Sequence, residues 1–183
     1  RGAPSDIAVG RLVEVEGAVA TTGVLVAREV SFELASTIKF EWAPVQALDQ
    51  TAETVTLFGI VVKTNASTRM EDDSEANLRN FSLADLRVGD RVCVRAFIDS
   101  TTGEVVATKL ERDDVRSDGR VLLQGPLDPN ASTPEVFVIL GTQNSTGSIT
   151  KFESLTSTHF PNAAAFLQAA NDRAPEEYRV LIK

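Results

Sequence analysis

The densest group of side chains that could bind a ligand is acidic. Glu71, Asp72, Asp73 and Glu75 lie within five residues, with Ser74 among them. Oxygen-rich loops of this kind can hold calcium, which takes about six to eight oxygen ligands. The run lacks the alternating Asp-x-Asp-x-Asp-Gly spacing of an EF-hand loop, so a solvated acidic loop is the competing interpretation. We therefore expect no cofactor, and calcium is the one alternative that the sequence offers.

Two further side chains have reactive chemistry, but neither has the neighbours that catalysis needs. Cys93 lies in an alternating strand pattern that supplies no positioned base. His159 is the only histidine, and no Gly-x-Ser-x-Gly elbow accompanies it. The chain also lacks cysteine and histidine sets for zinc, a Walker-type phosphate loop and a dinucleotide fingerprint. We therefore expect no enzyme and no catalytic residues.

Trp42 differs from the other aromatic residues. The chain has one Trp, one Tyr and nine Phe, and most of the Phe stand at apolar positions with core spacing. Trp42 lies two residues before Pro44 on a predicted strand. It could close the end of a barrel or act as an anchor on the surface, and the sequence leaves both interpretations open.

Composition and charge limit the classes of partner that we expect for the chain. With 183 residues, 43% hydrophobic and 24% charged, it has the make-up of a folded globular protein. The formal net charge of -8 creates a field that repels phosphate backbones, so we expect no nucleic-acid partner. No stretch approaches the roughly 18 consecutive apolar residues of a membrane helix, so we expect no membrane span within these residues.

Short β-branched runs alternate with charged residues and are separated by turn formers, a pattern that predicts strands. Pro44 favours a bulge or an edge position in the first central strand. Ser82 should cap a single helical turn between the third and fourth strands. The predicted central strands cover residues 38–48, 54–63, 68–71, 91–95 and 104–111.

Strand side chains alternate between two faces, which predicts burial in the fourth strand. Val92 and Val94 should be buried, whereas Arg91 and Arg95 should point outward. The first part of the chain carries the same pattern, so the residues expected to be buried there are Val13 and Val15, and those expected to point outward are Glu14 and Glu16.

The chain also repeats itself in part. Residues 40–71 align with 122–153 at a constant shift of 82, and residues 6–20 align with 85–99 at a shift of 79. The alignments divide the chain into a partial module with strands four and five (6–33), a complete barrel module (38–113) and a partial module with a helix near 161–172 (120–183). An alternative phase, cut before residues 6 and 85, gives two full units and a helical tail.

These elements predict the fold class. Strands in the order β-β-β-turn-β-β within about 75 residues are typical of a five-stranded OB-type barrel. We expect a mainly β protein of tandem small five-stranded OB-like Greek-key barrels, with one short helix between strands three and four.

The signature residues resemble a known family. Residues 83–92, Leu-Ala-Asp-Leu-Arg-Val-Gly-Asp-Arg-Val, are followed by an alternating strand, a glycine turn and Val-Val-Ala-Thr-Lys-Leu-Glu at 105–111. This pattern is similar to a repeated β domain of bacterial secreted proteins and lipoproteins, the domain of unknown function 5666. Residues 9–17 and 25–30 carry the same signature, although Cys93 and Arg95 stand where the first copy has acidic residues. The resemblance implies a barrel fold and a periplasmic, outer-membrane-tethered or secreted location, and it implies no activity.

The sequence therefore favours a non-catalytic cell-envelope module that acts as a spacer or protein-interaction surface, with a protein partner in the envelope. The alternative is a ligand-binding barrel that holds a cation or a glycan on its loops. An uncovered strand edge invites pairing. We therefore also expect residues 6–33 to add to a neighbouring sheet, within the chain or on the third module of another molecule.

Overall fold

The computed structural model describes residues 13–32, 36–147, 150–153, 159–171 and 179–182. The chain divides into two compact units, Arg1–Ser36 and Thr37–Lys183. The first contains one antiparallel hairpin of strands β1 (Val13–Val19) and β2 (Leu25–Phe32). The described part is mainly β, as the alternating sequence predicts, and it holds no helix long and apolar enough to cross a membrane.

The second unit contains twelve further strands and one α-helix among its described residues. The first six strands are β3 (Ile38–Asp49), β4 (Thr54–Leu57), β5 (Ile60–Lys63), β6 (Arg69–Asp72), β7 (Arg91–Ile98) and β8 (Val105–Asp113). The remaining elements are β9 (Leu122–Asp128), β10 (Val136–Ile139), β11 (Thr142–Ser145), β12 (Phe152–Glu153), β13 (His159–Phe160), α1 (Ala163–Asn171) and β14 (Arg179–Ile182).

Five of these strands close into a barrel. Each strand pairs with the next in the order β3, β4, β5, β8, β7 and back to β3, and only the β5–β8 pair is parallel. Strand β6 continues the parallel pairing along β8. The interior is filled with side chains less than 2% exposed, among them Phe40, Leu57, Leu110, Val92 and Val94. The predicted burial of both valines is confirmed.

One strand boundary was wrong in the sequence interpretation. Residues 54–63 form two strands, because the chain reverses at Phe58 and Gly59, whose φ angles are 51° and 77°. Two consecutive positive φ angles are the geometry of a two-residue hairpin turn of the primed type, whose twist matches the flanking strands. Phenylalanine rarely adopts this conformation, so the sequence does not predict a turn at this position.

The predicted single turn after Ser82 and the predicted helix near 161–172 are both confirmed, but the complete barrel has no α-helix among the described residues between its third and fourth strands. Between β6 and β7 the barrel has only a 3₁₀ turn, Leu83–Asp85, where the hydroxyl and the N–H of Ser82 both donate to the Asp85 carboxylate at 2.8 and 2.9 Å. The α-helix α1 lies near the C-terminal end of the described chain. Asn162 caps it by accepting from the N–H of Ala165 at 2.9 Å.

The segment after the barrel shares its sheet. Strand β9 pairs with β3, so that Leu123 faces Phe40, and it also pairs with β10 and β14. Helix α1 closes a cluster of rings whose centroids lie 5.4 to 5.8 Å apart, formed by Phe137, Phe152, Phe160 and Phe166. Predicted segments 38–113 and 120–183 therefore lie in one compact unit.

The prediction that Val15 is buried is wrong. The side chain of Val15 is 40% exposed and that of its cross-strand partner Val30 is 46% exposed. A two-stranded hairpin has no second layer of its own to cover such a face. The side chains of Val13, Glu14 and Glu16 lie outside the described residues.

Candidate functional site

The acidic run at 71–75 is built around a salt bridge. The guanidinium of Arg112 donates from Nε to Oδ1 of Asp72 at 2.9 Å and from Nη2 to Oδ2 at 2.6 Å. The Asp72 side chain is fully buried, and that of Arg112 is 14% exposed. Arg112 also lies over the ring of Phe81, 5.0 Å from its centroid. Both carboxylate oxygens of the central acid are therefore already occupied by a protein cation.

Asp72 also organises the loop that follows it. Its carboxylate accepts from the hydroxyl of Ser74 at 2.6 Å and from the N–H of Leu78 at 2.7 Å. The hydrogen bonds from Arg112, Ser74 and Leu78 outweigh the effect of burial and hold the pKa of this carboxyl well below its ordinary value. Asp72 is ionised at neutral pH, and its carboxylate holds Ser74 and Leu78 at the end of β6.

The other acids of the run have separate contacts, through the carboxylate of Glu71 and through the backbone N–H groups of Asp73 and Glu75. Glu71 pairs with Arg69 and, at 3.0 Å, with Lys109. The N–H of Glu75 donates to Asp114 at 3.1 Å, and the N–H of Asp73 donates to the carbonyl of Arg112 at 2.8 Å. In the described part of the chain, no three Asp, Glu, His or Cys side chains are grouped so that they could hold a metal ion. Calcium binding by Glu71, Asp72, Asp73 and Glu75 stays a prediction without a preformed site.

Trp42 lies on the outer side of the barrel. It stands in a bulge of β3, between Phe40 and Ala43, with a φ of 50°. Bulges change the direction in which side chains point. An aromatic residue with a positive φ is stable only where its surroundings hold it in place. Here the indole N–H donates to Oδ2 of Asp113 at 2.9 Å, and the guanidinium of Arg116 lies 4.2 Å from the ring centroid. The predicted role of Trp42 as a surface anchor stays a prediction, but its ring is held in position.

Cys93 is a neighbour of this tryptophan. Its Sγ lies 3.9 Å from Oδ2 of Asp113 in a half-buried position. Burial raises the pKa of the Cys93 thiol to about 11, and the nearby Asp113 carboxylate adds to the effect. The thiol is therefore protonated at neutral pH. His159 lies in β13, in a different sheet from Cys93.

A row of four cations crosses the outer face of the barrel. Lys39 on β3 is in register with Arg95 on β7, Arg95 with Lys109 on β8, and Lys109 with Arg69 on β6. Residues directly opposite one another in a sheet project to the same side. We call these four residues the cation row. The sequence could not reveal it, because its members come from four strands whose pairing is a tertiary property.

Carboxylates neutralise most of the cation row. Three pairs lie within single strands: Lys39 with Glu41, Arg69 with Glu71, and Lys109 with Glu111 at 2.7 Å. Lys109 also pairs with Glu71 of the neighbouring strand β6 at 3.0 Å. Burial alone would lower the pKa of Lys109, but its hydrogen bonds to Glu111 and Glu71 leave that pKa raised. Burial raises the pKa of Glu111, against the opposing effect of Lys109. The face is thus a closely coupled charge array.

Two open depressions mark the barrel surface. A cleft of about 150 Å³ lies beside the cation row and is lined by Lys39, Phe40, Glu41, Trp42, Cys93, Val94, Arg95 and Glu111. A larger cavity of about 330 Å³ lies between the β3–β4 turn and the 3₁₀ turn, lined by Gln50, Glu53, Thr64, Asn65, Met70, Ser82, Leu83 and Ala84.

The hairpin offers a third surface, which is apolar. Its exposed side chains are between 40% and 72% accessible and comprise Val15, Val19, Val24, Leu25, Val26 and Val30. We call the side of the hairpin that carries Val15, Val19, Leu25 and Val30 the hairpin face. Exposed apolar surface of this kind on a protein marks an interaction site more often than an isolated exposed valine does.

A known family matches the chain. Its description is domain of unknown function (DUF5666), and it covers residues 1–31 and 43–111, more than half of the chain. It is the family that residues 83–92 and 105–111 resemble, so that prediction is confirmed. Residues 112–183 lie outside the match. No curated protein and no solved structure matches the chain.

Proposed function

Because the chain belongs to the family described as a domain of unknown function (DUF5666), we propose its function from its geometry: a non-catalytic module of the bacterial cell envelope that acts as a spacer or protein-interaction surface. The observation that carries this proposal is the exposed hairpin face. The closely packed barrel fits the same role, because a filled interior makes a rigid support. The location, periplasmic, outer-membrane-tethered or secreted, rests on the resemblance of the signature residues.

The proposal includes tandem OB-like modules. The barrel order β3-β4-β5-β8-β7, with one parallel pair, fits an OB-like arrangement. Leu140 and Gly141 have φ angles of 53° and 76°, close to those of Phe58 and Gly59 one module earlier. Hairpins β1–β2 and β7–β8 each shift register at one bulge, after Glu16 and after Arg95. These recurrences support one module design used several times.

The partner we propose for the hairpin face is a second copy of the chain. In β7–β8, the residues at the positions of Val15 and Val30 are Val94 and Leu110, which are 1% and 0% exposed beneath the rest of the barrel. In the barrel, the strand pair that corresponds to the hairpin is therefore covered by a layer of other apolar side chains. Two hairpin faces packed on each other supply that layer symmetrically, since closed two-fold pairs are the commonest oligomers.

Sedimentation velocity over about 1 to 100 µM protein tests this self-association by mass action. The parent should shift from monomer to dimer as concentration rises. The double variant Val15→Thr, Val30→Thr keeps side-chain shape while removing apolar surface, and it should remain monomeric. Val61→Thr is the matched control, because Val61 is 57% exposed on the barrel and lies outside the hairpin; it should dimerise like the parent.

The measured oligomeric states distinguish a two-fold dimer from a monomer and from head-to-tail growth. A parent that is monomeric throughout, or a double variant that dimerises equally well, contradicts the proposed interface. Growth beyond two copies, abolished by the same variant, would instead support head-to-tail addition of residues 6–33 and overturn the two-fold arrangement.

A second candidate function, a ligand-binding barrel for a cation or glycan, is favoured by the cavity of about 330 Å³. Its size reaches the lower end of small-molecule sites, about 300 Å³. Gln50, Glu53 and Asn65 supply amide and carboxylate groups that can bond sugar hydroxyls. Calcium or a saccharide that binds there should raise the melting temperature of the parent; no shift at millimolar ligand would count against this function.

A further inference from the structure

Arg95 is the unneutralised member of the cation row. Within the described part of the chain its guanidinium makes no ion pair and no hydrogen bond, and its side chain is exposed. It stands in register between Lys39 and Lys109. Both of these lysines have carboxylate partners, whereas Arg95 has none among the described residues. The excess positive charge is local, since the whole chain carries -8.

A cleft with Trp42 and Cys93 in its lining adjoins this charge. Cys93 and Arg95 are two residues apart on one face of β7, which separates them by roughly 7 Å. The thiol of Cys93 is protonated, so the cleft wall that Cys93 forms with Trp42 is uncharged; Phe40 and Val94 also border the cleft, but their side chains are buried in the barrel interior. The volume of about 150 Å³ suits one apolar side chain and not an extended ligand.

We propose that this face binds a single carboxylate carried next to an apolar group. Arg95 binds the carboxylate, because a guanidinium matches the two carboxylate oxygens with two parallel N–H donors. The cleft beside Trp42 and Cys93 holds the apolar group. Glu41 and Glu111 line the same cleft and neutralise the lysines on either side of Arg95. Arg95 is left as the cation that can pair with one added negative charge. The site therefore selects one carboxylate over polyphosphates and nucleic-acid backbones.

Two sources share this chemistry, the C-terminal residue of a peptide and a small free carboxylic acid. Trp42 is the only tryptophan, so its fluorescence reports on the cleft directly. The probes are N-acetylphenylalanine, the pentapeptide Ala-Ala-Ala-Ala-Phe with a free carboxylate, and the amidated form of each. Binding of the peptide but not the single residue assigns the site to a peptide terminus; equal binding assigns it to a free acid.

The deciding variant is Arg95→Gln, and Arg87→Gln is its control, because Arg87 is an exposed cation that does not line the cleft. With the parent we expect a saturable fluorescence change for a free-carboxylate probe. In Arg95→Gln the affinity should fall about tenfold or more, whereas Arg87→Gln should match the parent. Equal melting temperatures of the three proteins check that each is folded.

Several results would overturn the proposal. These are an amidated probe that binds as well as its free acid, an Arg95→Gln variant with parental affinity, or an oligo-deoxythymidine that competes with the acid. Fluorescence could stay constant although a probe binds, so backbone amide NMR shifts of β7 are recorded in the same titration. If neither signal responds to either free-carboxylate probe at about 10 mM, the site does not exist at useful affinity.

Discussion

Asp72 and Arg112 form a bidentate salt bridge, with nitrogen–oxygen distances of 2.6 and 2.9 Å, between residues 40 positions apart in the sequence. It joins the end of β6 to β8 and, through Ser74 and Leu78, fixes the loop that leads to the 3₁₀ turn. One buried charge pair thereby holds the segment that covers one side of the barrel. Its stability and its pH dependence are both measurable.

Replacing Asp72 by Asn should destabilise the barrel strongly. The amide keeps the size of the side chain but removes the bidentate counter-charge of the nearly buried Arg112 guanidinium, which keeps the more distant carboxylate of Asp90 at 3.9 Å. We therefore expect a loss of about 3 kcal/mol, at the lower end of the range for broken buried pairs. Urea unfolding followed by circular dichroism measures the change. Asp118→Asn is the control, because the Arg116–Asp118 pair is solvent-exposed and its loss should leave the midpoint unchanged. Equal midpoints for both variants would contradict the structural role of Asp72.

The Asp72–Arg112 pair also predicts how the free energy of unfolding falls at acidic pH. The Arg112 hydrogen bonds place the folded-state pKa of Asp72 below its ordinary value of 3.8, so the unfolded chain binds the proton more readily than the folded one. The stabilisation is fully present above the unfolded pKa and is lost as pH falls toward the folded pKa. Unfolding free energies at about pH 7, 5 and 3 should fall less steeply below pH 4 in Asp72→Asn than in the parent. Parallel curves would show that the pair does not dominate this fall in stability.

Matched aspartate substitutions should separate the two units. Val94 is 1% exposed inside the barrel, whereas Val15, its counterpart in the hairpin, is 40% exposed. Val94→Asp buries an unpaired charge, at a cost on the order of the total stability, about 5 kcal/mol or more, and should unfold the barrel. Val15→Asp should leave the main thermal transition in place. A Val94→Asp protein that melts like the parent would contradict the register of β7.

The turn between β4 and β5 can be tested at Gly59. Its φ of 77° suits glycine, and an added Cβ would meet no atom within 4 Å, so Gly59→Ala changes backbone preference alone. We expect a loss of about 1 kcal/mol. Gly147→Ala is the control, because that site is equally open but its φ does not lie in the left-handed region. Equal melting temperatures of both variants would count against the positive φ at Gly59.

Several features could be predicted from the residues because they depend on local patterns. The alternation in Arg91–Ile98 places Val92 and Val94 inside, since neighbouring strand side chains must point to opposite faces. Ser82 and Asp85 are close enough in sequence to form their turn without help from the rest of the fold. This reasoning failed at the turn at Phe58, where the residue type opposes the conformation that the barrel imposes, and at Val15, which the hairpin leaves exposed.

The candidate sites were decided by tertiary structure. The sequence presents Asp72 as one acid in a run of acids, and only the parallel pairing of β6 with β8 brings Arg112 to it. It presents Arg95 as an outward-facing arginine, and only the pairing of β3, β7 and β8 sets it between two lysines beside Trp42. Local periodicity determines which face of a strand a residue occupies. Which charges and rings meet on that face depends on strand order and register, which are fixed by the packing of the whole barrel.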